Sequence, residues 1–112
     1  MKSLVLALSV VALTIAGPLA APQVSRPTVA GVTNFAQVET TVACAGAITV
    51  DALPEIKRLG YASIINLRQA TEAGANLEAE ATAAKAVGLR YFHVPFNGQS
   101  PEPAAATAFL DA

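Results

Sequence analysis

In the second half of the chain, the apolar positions alternate between a helical and an extended period. Leu53, Ile56 and Leu59 recur at every third position, which is typical of one apolar stripe on a short helix. The run 62–67 is apolar and β-branched at its centre, which favours a strand covered on both faces. From residue 51 onward the pattern predicts helix 51–59, strand 62–67, helix 76–87, strand 90–94 and a helix that opens at residue 100.

Polar residues and glycines mark where these helices begin and end. Asp51, Asn76 and Ser100 each stand close before a helical pattern. We predict them as N-caps, because their side-chain oxygens can accept the free N–H groups of a first turn. Gly60 and Gly88 follow the last apolar positions, where glycine favours the left-handed turn that ends a helix.

Helix 76–87 has the clearest amphipathic pattern. Its predicted apolar face consists of Leu77, Ala81, Ala84 and Val87. Glu78 and Glu80 lie in the first turn, where a negative charge is favoured by the helix dipole. We predict that both glutamates belong to a solvated face.

The first 33 residues do not share this alternation of helical and extended patterns. One charge at Lys2 precedes a mostly apolar run over 4–16, and small residues lead up to Ala20. This order predicts a secretory signal over 1–20 that is cleaved off, so we expect an exported protein, periplasmic or secreted. The run is shorter than the roughly 20 apolar residues needed to span a bilayer. Residues 21–33 hold two prolines and no apolar period, which predicts a flexible leader.

The composition narrows the classes of function. The sequence has 112 residues, 54% of them apolar, but 25 are alanines that bury little area each. Removal of residues 1–20 would leave 92 residues and change the formal net charge from −1 to −2, because Lys2 leaves with them. Seven Lys and Arg against eight Asp and Glu disfavour a nucleic-acid partner. A single cysteine excludes an intramolecular disulfide or a multi-cysteine metal site, and no cofactor is expected.

The order of the predicted elements indicates the fold class. Two extended segments, 35–38 and 42–45, come before the alternating helices and strands. Such alternation implies an α/β fold of three layers, with a central, mostly parallel sheet and flanking helices. The helix that opens at residue 100 has no following strand in the sequence. We therefore expect 34–112 to be one α/β domain that is incomplete at its C-terminal end.

A set of positions spread over this domain matches the pattern of a known family. They are Phe35, Val38, Ala45, Gly46, Asp51, Leu53, the run Ile64-Ile65-Asn66-Leu67-Arg68, Glu72, Glu80, Ala84, the run Gly88-Leu89-Arg90-Tyr91 and the run His93-Val94-Pro95. In order and spacing they resemble the front part of the dual-specificity and tyrosine phosphatase superfamily. The branch they resemble most is the β-lactamase-hydrolase-like phosphatase-like domain.

The resemblance implies cysteine-dependent hydrolysis of phosphoesters by a loop of the form HCxxxxxR. In such a loop the thiolate attacks phosphorus, while backbone N–H groups and the arginine hold the phosphate oxygens. This sequence has no such loop, since Cys44 follows an alanine and has Val50 in the place of the arginine. We assign no catalytic residue. Cys44 is predicted to be a small buried side chain, with an intermolecular disulfide as the less favoured alternative.

Five polar residues are candidates for bracing a phosphate pocket: Asn66, Arg68, Glu72, His93 and Asn97. Asn66 and Arg68 end strand 62–67, at the edge where open α/β sheets bind ligands. Asn66 either holds neighbouring loops or is a satisfied buried amide, and Arg68 either braces the loop or simply pairs with Glu72. His93 is the single histidine, so a structural role is favoured over a metal site. Asn97 stands where related phosphatases place an acid, and an amide cannot protonate a leaving group in that way.

Two hypotheses for the function stay open. The chain is either an exported phosphatase-like hydrolase domain, inactive as it stands, or an exported interaction domain without chemistry. In the first case a phosphoester is the partner once the domain is completed. In the second, an exposed sheet edge pairs with another chain or another copy. Neither hypothesis includes nucleic acid, a metal or a membrane span that remains after signal removal.

Overall fold

The structure is a computed structural model that describes residues 17–112. Its elements are β1 (Val24–Ser25), β2 (Ala36–Val38), β3 (Val42–Cys44), α1 (Leu53–Arg58), β4 (Ser63–Asn66), α2 (Leu77–Ala86), β5 (Arg90–His93) and α3 (Pro103–Asp111). A 3-10 turn, Val50–Ala52, leads into α1. The predicted signal 1–20 lies outside the described residues except for its last four. Among the helices of residues 17–112, none has the length and apolar character to cross a membrane.

Two small sheets make up the β structure. β4 and β5 pair in parallel, with Ser63 opposite Arg90 and Asn66 opposite His93. Parallel neighbours need a long crossover connection, and the segment that contains α2 supplies it. The other sheet is antiparallel, in the order β1–β2–β3. A mixed α/β architecture with a parallel strand pair is therefore confirmed.

The predicted central parallel sheet is not confirmed. Within residues 17–112, β4 has a strand neighbour on one side only. Ser63, Ile64 and Ile65 are half-buried, although the pattern predicted full cover on both faces. The β-branched run favours a strand, but how far its faces are covered depends on the elements that surround it.

Residues 21–33, for which the pattern predicted no element, contribute to the antiparallel sheet. Val24 of β1 lies opposite Val38 of β2. Val29, later in the same segment, is buried. A strand of two residues has no readable period, so only its partner strand defines it.

Helices α1 and α3 begin differently from the prediction. Asp51 is not the N-cap, because it lies inside the 3-10 turn that precedes α1. Ser100 is not the N-cap of α3, whose cap position is Glu102. In each helix a proline occupies the first turn, Pro54 in α1 and Pro103 in α3. A proline costs nothing there, because the N–H it lacks has no partner within the helix.

Helix α2 begins and ends where the pattern predicted. Asn76 is its N-cap residue, although the side chain makes no capping hydrogen bond. Gly88 has a φ of 77°. Its N–H donates to the carbonyl of Lys85 at 3.1 Å, and the N–H of Leu89 donates to the carbonyl of Ala84 at 2.9 Å. These two bonds form a Schellman motif, which turns the chain from α2 into β5.

The largest buried cluster lies where α1, α2 and the start of β5 meet. Its members are Ala52, Leu53, Ile56, Ala84 and Leu89. Leu53 is fully buried, and Ile64 and Tyr91 bring the parallel sheet against the cluster. This packing fixes α2 over the sheet and so determines which of its side chains reach the strand ends.

Candidate functional site

The carboxyl ends of β4 and β5 lie at the same edge, because the two strands are parallel. The loops that follow each strand therefore start side by side. The N–H of Val94 donates to the carbonyl of Asn66, and the N–H of Phe96 donates to the carbonyl of Leu67. These bonds continue the pairing beyond the strands and hold the two loops together. Such an edge is the usual place for a ligand in an open α/β sheet.

Asn66 is a buried amide with several partners at this edge. Its Nδ2 donates to Glu80 Oε1 at 3.3 Å, to Glu80 Oε2 at 3.4 Å and to the hydroxyl of Tyr91 at 3.0 Å. Its Oδ1 accepts the backbone N–H of Arg68 at 2.8 Å. The sequence left two interpretations of Asn66 open, a satisfied buried amide or a group that holds neighbouring loops. Both apply, because the satisfied amide also holds the start of the loop.

Arg68 is bound inside the loop that it begins. Its Nη2 donates to the carbonyl of Ala73 at 2.7 Å and its Nη1 to the carbonyl of Gly74 at 3.3 Å. Its Nε donates to Glu72 Oε2 at 3.2 Å. The guanidinium fork thus joins three points of one loop, a geometry that a lysine ammonium does not provide. Arg68 both pairs with Glu72 and braces the backbone.

Glu72 closes the same loop from the other side. Its Oε1 accepts the backbone N–H of Gln69 at 2.8 Å. This bond, and after it the Arg68 side chain, hold the pKa of the Glu72 carboxyl below its usual value. The ionised form is the one that serves both donors.

His93 and Asn97 occupy different places relative to this loop. His93 Nε2 lies 2.7 Å from the carbonyl oxygen of Arg68, so the backbone of Arg68 is held at both its N–H and its C=O. Asn97 Oδ1 accepts the N–H of Gln99 at 3.0 Å within its own turn. Asn97 and Gln69 line a cavity of about 310 Å³ beside the start of α3. Asn97 therefore lies apart from the other four candidates. The structure brings these four together into one polar cluster: Asn66, Arg68, Glu72 and His93.

Glu80 and Tyr91 belong to the cluster, and the sequence analysis did not select them. The prediction that Glu80 lies on a solvated face was wrong, because only 7% of the residue is exposed. A signal was present in the spacing, since Leu77, Glu80 and Ala84 follow one another at the i+3 and i+4 steps of a single helix face. A charged residue on an apolar stripe indicates a buried polar partner.

The electrostatics of the cluster follow from this burial. Burial raises the pKa of the Glu80 carboxyl above its usual value, while the Asn66 amide and the charge of Arg68 lower it in part. Burial likewise raises the pKa of the Tyr91 hydroxyl, with a smaller opposing effect of the Asn66 bond. The edge therefore combines one carboxylate with a lowered pKa and one with a raised pKa, Glu72 and Glu80.

The prediction that Cys44 is buried was wrong. It is an exposed free cysteine at the end of β3. It lines an open groove of about 670 Å³ whose walls include β3, β4 and Phe109 of α3. Cys44 ends an antiparallel strand, whereas a phosphatase thiol is activated at a helix N-terminus beside an arginine. Within residues 17–112, no three His, Cys, Asp or Glu side chains are grouped as metal ligands.

Replacing Arg68 with lysine is expected to loosen the loop without unfolding the domain. A single ammonium cannot bond Glu72 and two carbonyls in a plane, so the N–H groups of Glu72 and Ala75, which bond within the loop, should exchange faster. Amide hydrogen exchange measured by NMR checks this. Arg58→Lys is the matched control, because Arg58 pairs with Glu55 on the exposed face of α1. Equal acceleration of loop exchange in both variants would contradict the bracing role.

Comparisons with known proteins were consistent with this geometry. The profile of a family described as beta-lactamase hydrolase-like protein, phosphatase-like domain, matches residues 34–112. The fold is similar to the crystal structure of a candidate phosphatase from Shewanella putrefaciens CN-32, with a TM-score of 0.66 at 21% sequence identity. That similarity covers 72% of this chain and 51% of the other, so the chain spans about half the length of that structure. No curated protein matches the sequence significantly.

Proposed function

This chain belongs to the family of beta-lactamase hydrolase-like phosphatase-like domains, and on that premise we propose that it is a domain of the cysteine-dependent phosphoester hydrolase type. The observation that carries the proposal is the Asn66-Leu67-Arg68 segment at the carboxyl end of a parallel strand pair. Ligands of open α/β sheets bind at this edge. In the proposal a phosphoester is the substrate class, and the protein acts after export.

The cluster supports a bracing role better than direct contact with phosphate. The Arg68 guanidinium already uses three of its N–H groups on its own loop. Glu72 adds a negative charge on the same side, which disfavours an anion at that point. The loop 68–74 therefore serves as a rigid support beside the phosphate position.

The 112 residues are expected to have no phosphatase activity of their own. No His-Cys pair is present, and Cys44 has no arginine at the spacing that the chemistry requires. The assay is the hydrolysis of an aryl phosphate by the purified chain, with Cys44→Ser as the control. Turnover that Cys44→Ser abolishes would overturn the assignment of Cys44. The coding sequence past codon 112 tests the hydrolase type, which an in-frame HCxxxxxR stretch supports and its absence there refutes.

The second candidate function is a non-catalytic interaction domain. It is favoured by one observation: within residues 17–112, β4 pairs with one strand only, and its residues line the groove shared with β3. Val42, Leu67 and Phe109 expose about half of their surface around this region. A free strand edge can pair with another chain or with a second copy. Light scattering of the purified chain tests self-pairing, because a defined dimer favours the interaction domain and a monomer speaks against pairing with a second copy.

Export is part of both candidates. The charged start, the apolar run and the small residues up to Ala20 support cleavage of residues 1–20. The mass of the protein recovered from the periplasm or the medium checks it. A chain that retains Met1 in the cytoplasm would refute export.

A further inference from the structure

We propose that Glu80 is a positioning residue, whose ionised carboxylate fixes the orientation of the Asn66 amide and thereby holds the turn at which the Arg68 loop begins. This goes beyond the proposed hydrolase function and does not depend on it. It assigns a role to a buried acid on α2 that lies opposite the loop and does not touch the loop itself.

The argument starts from the two possible orientations of an asparagine amide. A rotation by half a turn exchanges Oδ1 and Nδ2 without moving any other atom, so only the partners decide between them. On one side Asn66 faces Glu80 and Tyr91 through Nδ2, and on the other it faces the N–H of Arg68 through Oδ1. The rotated amide would place Nδ2 against the Arg68 N–H, donor against donor.

Glu80 is the second partner, beside the Arg68 N–H, that favours one of the two orientations. An ionised carboxylate can only accept hydrogen bonds, so it requires the donor Nδ2 on its side. The Tyr91 hydroxyl can donate or accept and therefore tolerates either orientation. Once Glu80 is protonated it can donate to Oδ1, and the penalty for the rotated amide on that side disappears.

The backbone of Arg68 connects the orientation of the Asn66 amide to the loop. Its N–H is held by Asn66 and its carbonyl by His93, and its side chain then bonds the backbone of Ala73 and Gly74. The charged and titratable groups that face Glu80 are Arg68, after β4, and Tyr91, on β5. Loss of the bond from the Arg68 N–H to Asn66 Oδ1 releases one of the two fixed backbone groups of Arg68.

The test is an NMR titration of the Arg68 backbone amide shift in the full chain. A His93→Gln background removes the ring that touches the Arg68 carbonyl. Two steps are expected, one below the usual pKa of a glutamate from Glu72 and one above it from Glu80. Glu80→Gln should remove the upper step alone, and Glu72→Gln the lower step alone. Glu78→Gln, an exposed acid in the same turn of α2, should remove neither.

Two results would overturn the proposal. One is an upper step that survives in Glu80→Gln, and the other is an upper step that Glu72→Gln removes. Hydrogen exchange adds a second measurement. Glu80→Gln can turn either its oxygen or its NH₂ group toward Asn66, so like protonated Glu80 it no longer requires one orientation and should lower the protection of the Arg68 amide. Glu80→Leu should lower this protection about fivefold. Wild-type protection of the Arg68 amide in Glu80→Gln counts against the role, and if Glu80→Leu does not fold, the Gln variant and its titration decide.

Discussion

The Asn66→Leu variant is expected to lose about 3 kcal/mol of unfolding free energy. Leucine keeps the volume of the side chain but removes two donors and one acceptor from a buried position that is 8% exposed. The Glu80 carboxylate then stays buried without the Asn66 amide, and a buried charge that loses its partner is costly. Such a loss is a large part of the roughly 5–15 kcal/mol that stabilises a typical domain.

Urea unfolding followed by circular dichroism measures this loss. Asn97→Leu is the matched control, because Asn97 is exposed and its side chain accepts the Gln99 N–H within its own turn. We expect the control to change stability by less than about 1 kcal/mol. A double variant, Asn66→Leu with Glu80→Leu, should regain part of the loss, because the unpaired charge is gone. If Asn66→Leu costs no more than Asn97→Leu, the buried cluster does not hold the edge.

Leu53→Ala is expected to cost about 3 kcal/mol of unfolding free energy as well, for an apolar reason. Leu53 is the one described side chain of its size that is fully buried, and it packs at the centre of the cluster formed by α1 and α2. Its neighbours Ala52 and Ala84 are already small and cannot expand into the space that is left. Truncation therefore leaves a cavity in addition to the lost apolar contact.

The control for this prediction is Leu59→Ala at the other end of α1. Leu59 is the C-cap residue and is 42% exposed, so its truncation should cost well under half as much. Both variants are compared by urea unfolding under the same conditions. Equal losses at the two positions would show that α1 does not pack on α2 through Leu53.

The elements with a clear period were predictable, and the family resemblance is confirmed. Helix 76–87 and strand 90–94 carry enough turns or alternations for the sequence alone to define them, and Gly88 defines their junction. The strand β1 has two residues and depends wholly on β2 for its partner. For Asp51 and Ser100, the pattern identified nearby helices but placed their starts one and two residues too early, since the N-cap residues are Ala52 and Glu102.

The candidate site was predictable only in part, for a physical reason. Asn66, Arg68 and Glu72 are neighbours along the chain, so their spacing already suggested contact. Glu80 was misassigned because charge was taken as a sign of exposure, whereas its position on the Leu77–Ala84 stripe predicts burial. Tyr91 reaches the cluster through strand pairing that brings β5 beside β4, and no local pattern contains that information.

The buried amide of Asn66 also has a consequence for the uniqueness of the fold. Its hydrogen bonds connect β4, which carries Asn66, with Glu80 on α2 and with Tyr91 on β5. Sliding β4 by one residue along β5 would turn the amide to the opposite face and leave both partners without it. An alanine-rich chain has few large side chains whose shapes would forbid such a slip. The polar cluster thus adds to the apolar packing in favouring one alignment of β4 with β5.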